Sequence, residues 1–195
     1  MHILFSNKFL ILLLFLSPFF LMGCMNAAMT GAQAIYNRHS IQKNLTDQYI
    51  TLQAFNRINN ANNHFKGANI SVATYNSEVL LAGQAPHEWQ KSEAESIVKQ
   101  IPEVERVHDT ISIANPSSTL TRISDTWITT KIKAKLMASA DVDVTQVKVV
   151  TENGVVYLMG ILLPDEAQAA MELAKKTDGV ANVVNLFSYI KIIRS

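Results

Sequence analysis

One pattern occurs twice in this chain, and that duplication limits the possible folds more than any other feature. Asn69-Ile-Ser-Val-Ala-Thr-Tyr-Asn-Ser-Glu-Val-Leu-Leu-Ala-Gly83 aligns with Gln146-Val-Lys-Val-Val-Thr-Glu-Asn-Gly-Val-Val-Tyr-Leu-Met-Gly160. Pro86 matches Pro164 after a one-residue slip, and Val104-x-x-Val107-x-Asp109 matches Val180-x-x-Val183-x-Asn185. Upstream, Asp47-x-Tyr49-Ile50-Thr51 matches Asp125-x-Trp127-Ile128-Thr129. Self-similarity at a fixed period means that one supersecondary unit has been copied. Each unit has roughly 70 residues, enough for only a marginal core, so the two are expected to lean on each other.

Within each repeat the pattern reads α-β-β-α-β. Ile70, Val72 and Thr74 alternate with Ser71, Ala73 and Tyr75, and Val147, Val149 and Thr151 repeat the alternation; period two marks a strand. Asn153-Gly154 is a strong two-residue hairpin signal, because both positions tolerate positive φ. Asn76-Ser77 is its weaker counterpart, and its hairpin is expected to be less regular. Ala94, Ile97, Val98 and Ile101 share a helical face, as do Ala167, Ala170, Met171 and Ala174. Asp125 and Asp165 are expected to cap helix N-termini. Gly83 and Gly160 are expected to ease the turn from strand to helix. The fold class is α+β, two tandem units, each with two helices packed on a three-stranded mixed sheet.

Before the repeats, Lys8 precedes an apolar run from Phe9 to Met22, interrupted at Ser17-Pro18 and followed by Gly23-Cys24. This is the layout of a secretory signal, and the run is short for a bilayer span of roughly 20 residues. Leu21-Met22-Gly23-Cys24 resembles a bacterial lipobox, which implies cleavage before Cys24 and a diacylglyceryl group on its sulfur. An uncleaved anchor and a buried apolar cysteine are the competing readings. Two or more acyl chains give stable attachment. Met25, where retained inner-membrane lipoproteins carry Asp, implies the outer membrane. The expected organisation is a signal at 1–23, a lipidated tether at 24–45, repeats at 46–114 and 124–193, and a linker at 115–123.

Seventeen Lys and Arg face sixteen Asp and Glu, a formal charge of +1 that falls to zero once Lys8 is removed. That balance offers no bulk attraction to nucleic acid. One cysteine allows no internal disulfide. The histidines, His2, His39, His64, His87 and His108, show no ligand spacing. No nucleophile elbow, phosphate loop or paired-carboxylate arrangement stands out. The expectation is a protein without catalytic residues, metal or cofactor, apart from the acyl modification at Cys24.

The helix expected near 126–138 is unusual. At about 100° per residue, Ile128, Ile132 and Leu136 form one face. Trp127, Thr130, Ala134, Met137 and Ala138 form the opposite one, flanked by Lys131 and Lys133, with Lys135 nearer the core face. Tryptophan prefers the headgroup level, and each lysine near an anionic surface contributes about 1 kcal/mol. The other reading packs Trp127 between the repeats or onto the sheet. In the first repeat Tyr49, Leu52 and Asn56 hold the equivalent outer positions, and Gln53 stands where Lys131 does.

These residues resemble the BON family. The resemblance rests on the Val-x-Leu-x-Gly strand, the Pro-led helix and the Val-x-x-Val-x-Asn strand, and covers roughly 47–113 and 124–192. Ser77 for the turn glycine and Asp109 for Asn are departures in the first repeat. Two BON units behind a lipobox resemble outer-membrane lipoproteins that face the periplasm. By that resemblance the second unit binds anionic phospholipid, phosphatidylglycerol or cardiolipin, through its first helix. It also implies enrichment at division sites and support of outer-membrane integrity. The alternative is an adaptor for outer-membrane assembly or septal machinery, acting through protein contacts.

Overall fold

A computed structural model describes residues 31–61 and 63–190, with side chains from residue 42 onward. The expected signal, Cys24 and the start of the tether lie outside the described residues. The first described helix, α1, runs Gly31–Asn59, so the described part of the stretch read as tether is helical. It leads into β1 (Asn69–Tyr75), β2 (Glu78–Ala85), α2 (Glu88–Lys99), β3 (Arg106–Asp109) and β4 (Ser112–Ile113). The second repeat has α3 (Thr119–Ala138), a 3-10 turn (Val144–Gln146), β5 (Val147–Glu152), β6 (Val155–Leu162), α4 (Pro164–Lys175) and β7 (Asn182–Tyr189).

Both sheets share one topology. β1 pairs antiparallel with β2, and β2 pairs parallel with β3 and β4, which act as one strand broken at Thr110-Ile111. β5 pairs antiparallel with β6, and β6 parallel with β7. Tyr75 faces Glu78 and Glu152 faces Val155, so both hairpins close with two residues. Asn76 and Ser77 have φ of 50° and 65°, Asn153 and Gly154 50° and 76°. The first hairpin is therefore as regular as the second: Ser77 takes the left-handed conformation without a glycine.

The reason lies beneath the turns. Asp47, in α1, accepts hydrogen bonds from the N–H groups of Asn76 (2.7 Å) and Ser77 (2.8 Å). Asp125, in α3, accepts from Asn153 and Gly154, both at 2.8 Å. Asp125 is thus no N-cap. It is buried mid-helix, and α3 begins two turns earlier, at Thr119, capped by Ser118 Oγ accepting from Thr121 N at 3.1 Å. Half of the expected linker is helix. Asp165 does not cap either: the N-cap is Leu163, Pro164 opens α4, and Glu166 accepts from Leu163 N–H at 2.9 Å.

Strand parity sorts the core into three clusters. Val79, Leu81 and Ala85 pack under Ile50, Ala54 and Ile58 of α1 and Ala94 and Val98 of α2. Val156, Leu158 and Leu162 do the same under Ile128, Ile132 and Leu136 of α3 and Ala167, Ala170 and Ala174 of α4. The intervening residues Leu80 and Ala82 point the other way and meet Tyr157 and Met159. The two sheets therefore pack inner face to inner face, with helices on both outer faces. Central strands apolar on both faces are what such a four-layer arrangement requires. Gly83 and Gly160 lie within β2 and β6 rather than at a turn. A Cβ on Gly83 would collide with the Asn69 carbonyl, and one on Gly160 with that of Gln146 and the Phe187 ring. Close approach of the neighbouring strand is what demands glycine there.

Candidate functional site: the outer face of α3

The core face of α3 is as expected: Ile128, Ile132 and Leu136 are at most 3% exposed. With that face seated, the opposite one must be open. Trp127 is 66% exposed and Met137 72%, and Thr130, Ala134 and Ala138 are exposed beside them. Trp127 packs neither on the sheet nor between the repeats.

The stripe is longer than the sequence reading allowed. Leu120 is 76% exposed and Ile123 51%, and both project from the turns of α3 that were assigned to the linker. Leu120, Ile123, Trp127, Thr130, Ala134 and Met137 recur at three- and four-residue steps along one side. Over 20 residues this face is about 30 Å long. The sequence signal was present, since Ser118 is as good a cap as Asp125.

The cations are distributed differently from the expected ring. Lys131 Nζ donates to the Asp178 carbonyl (2.6 Å) and Lys135 Nζ to the Lys176 carbonyl (2.9 Å). Both carbonyls belong to the turn between α4 and β7, so these two charges line one rim of the stripe. Lys133 lies on the other flank, beside the seam between the repeats, where Arg122 is also exposed. Thr130 Oγ1 donates to the Thr126 carbonyl at 2.9 Å, leaving its methyl for the surface. The single acid of α3, Asp125, is buried. Four cations therefore flank the stripe while α3 itself presents no exposed carboxylate; the exposed acid beside it is Asp178, in the turn that Lys131 reaches.

α1 carries a paler version. Leu45, Tyr49, Leu52 and Phe55 are 48–62% exposed. Its cations among the described side chains are Lys43 and Arg57; Lys43 donates to Ser77 Oγ (3.0 Å) and pairs with Glu105 (3.4 Å). The Asp109 departure is mild: Asp109 Oδ1 accepts from Ile111 N (3.0 Å) much as Asn185 Oδ1 accepts from Phe187 N (2.9 Å). Burial nonetheless holds the Asp109 carboxyl above its usual range. Among the described residues no three His, Cys, Asp or Glu gather as metal ligands would, and no helix is long and apolar enough to cross a membrane.

Sequence reasoning missed the polar seam between the sheets. Glu152, 7% exposed, accepts from Asn69 Nδ2 (3.2 Å), Ser71 Oγ (2.9 Å) and Gln84 Nε2 (3.3 Å), all in the first repeat. Gln84 Oε1 in turn accepts from Ser117 N at 2.9 Å, fastening the connection between the repeats.

A family profile described as BON domain matches residues 46–115 and 124–191. The chain is 30% identical over 176 residues to the outer membrane lipoprotein DolP of Haemophilus influenzae, covering 88% of this chain and 91% of that protein. It is 39% identical over 124 residues to a 21 kDa hemolysin of Actinobacillus pleuropneumoniae, covering 64% of each. It is 36% identical over 126 residues to the osmotically-inducible protein Y of Escherichia coli, covering 63% of this chain and 62% of that protein.

Proposed function

Since the chain belongs to the BON domain family, with two copies of the domain, we propose that it is an outer-membrane lipoprotein whose α3 reads anionic phospholipid. Lipidation at Cys24 provides attachment, and α3 lies along the membrane surface. The observation that carries this reading is the roughly 30 Å exposed apolar stripe flanked by four cations on a helix that presents no exposed acid of its own. An amphipathic helix with that pattern buries its apolar side about 5–10 Å into the headgroup region. Leu120, Ile123, Trp127 and Met137 supply apolar area, and Lys131, Lys133, Lys135 and Arg122 favour negative headgroups such as phosphatidylglycerol or cardiolipin.

Because the anchor already holds the protein at a membrane, this contact is weak and selective. It decides where the protein resides, including sites of division, and through that supports envelope integrity. The role is one of binding, without catalysis.

Vesicle flotation of a soluble form lacking residues 1–24 tests the proposal. The wild type is expected to float with phosphatidylglycerol or cardiolipin vesicles and not with phosphatidylethanolamine-rich ones. Trp127→Glu is expected to abolish flotation while circular dichroism stays unchanged, since the side chain is two-thirds exposed. Rising salt should weaken binding steeply. Absence of flotation with every lipid would remove α3 as a membrane reader and leave the protein-adaptor reading in its place.

A further inference from the structure

We propose that the seam between the two repeats holds one anionic phospholipid, its phosphate between Lys133 and Lys148 and its proximal acyl chain along Leu52 and Phe55. The proposal takes from the preceding section only that the protein lies against a membrane.

A groove of about 560 Å³ runs between α1 and β1 on one side and α3 and β5 on the other. This volume lies in the range of small-molecule sites, roughly 300–1,000 Å³. It suits a headgroup and the first part of a chain, the remainder staying in the bilayer. The two walls differ because the duplicated positions have diverged. Lys133 corresponds to Phe55, and Lys148 to Ser71. One wall is thereby cationic and the other apolar, with Leu52 57% and Phe55 54% exposed.

The groove's charges are unbalanced. Lys148 is half-buried and donates to the Thr74 carbonyl at 2.8 Å, with no carboxylate within ion-pairing distance among the described residues. Burial holds it below the usual lysine range; Asp47 works against that shift and Lys133 adds to it. Asp47, the acid lining the groove, has both oxygens engaged by the turn N–H groups of Asn76 and Ser77. Lys133 makes no hydrogen bond or ion pair among the described residues. Two ammonium groups thus share a partly desolvated site, and an anion between them relieves both the repulsion and the burial cost. A free inorganic anion would gain nothing from Leu52 and Phe55, whereas a phospholipid uses both walls.

Native mass spectrometry of the full chain, extracted from membranes in mild detergent, tests this with added phosphatidylglycerol or phosphatidylcholine. One phosphatidylglycerol adduct per chain is expected, with phosphatidylcholine at least about tenfold weaker, because its phosphate is the same but its choline cation faces two lysines. Lys133→Gln, Lys148→Gln and Phe55→Gln should each lower occupancy by about the same factor. Lys133 and Phe55 are exposed, so their variants should keep the wild-type melting temperature even where Lys148→Gln does not. Trp127→Glu should keep the adduct while losing vesicle preference, so the groove and the α3 stripe can fail separately. No adduct, equal binding of phosphatidylcholine, displacement by excess inorganic phosphate, or an adduct surviving the Lys133→Gln/Phe55→Gln double variant would each overturn the proposal.

Discussion

Asp125, which reads as a helix cap, and its counterpart Asp47 instead hold the hairpins from below. A carboxylate that accepts two backbone N–H groups in a buried setting is worth more than an exposed cap, which contributes about 1 kcal/mol. Asp125→Ala would strand both turn N–H groups. It should therefore destabilise by about 3 kcal/mol, read as a lower denaturant midpoint at unchanged slope. Asp109 behaves oppositely. Its carboxyl is pushed up from the usual 3.8 mainly by burial, so the folded state disfavours its charge. The native state binds more protons than the unfolded chain between 3.8 and the raised value, and stability from this group falls as pH rises through that window. Asp109→Asn keeps the Ile111 N–H bond in the manner of Asn185. It should raise the melting temperature slightly at neutral pH, with the gain vanishing below about 3.8. Sequence spacing placed Asp47 and Asp125 as equivalents. Their partners, some thirty residues away, are invisible to periodicity.

At the scale of elements, local pattern was a sound guide wherever one face meets a core. The buried faces of α3 and α4, the strand alternation and the two-residue turns were all legible, because each is a short-range periodicity. The start of α3 was not: Ser118 and Asp125 offer the same cap chemistry, and only the packing of Asp125 under β5–β6 excludes it. That misplacement hid Leu120 and Ile123. Leu120→Glu and Ile123→Glu should accordingly weaken vesicle flotation as Trp127→Glu does, with folding intact, because none of these side chains is buried. Gly160 illustrates the other limit. The sequence put it at the turn from strand to helix, whereas it lies within β6 and its purpose depends on how closely Gln146 and Phe187 approach. Gly160→Ala should cost about 1–3 kcal/mol through overpacking, measurable as a drop in melting temperature.

Across the whole molecule, the inner sheet faces join two marginal cores into one. Leu80 and Ala82 against Tyr157 and Met159 provide the apolar part of that contact; Glu152 with Asn69, Ser71 and Gln84 fixes its geometry. Nothing in the spacing of residues reveals this pairing, and the sequence reading passed over the unbroken apolar run Val79–Leu80–Leu81–Ala82, which fits a strand covered on both sides. Calorimetry should show the repeats melting in a single transition. Leu80→Asp, which buries a charge between the sheets, should split that transition in two or abolish the earlier one.

The sheet-to-sheet contact also has a consequence in time. A chain is made from its N-terminus, and the residues that cover Leu80 and Ala82 follow nearly eighty positions later. Making that intervening stretch takes about 4–15 s at roughly 5–20 residues per second. The duplication that stabilises the finished molecule thus leaves the inner face of the first repeat bare until the second has joined it.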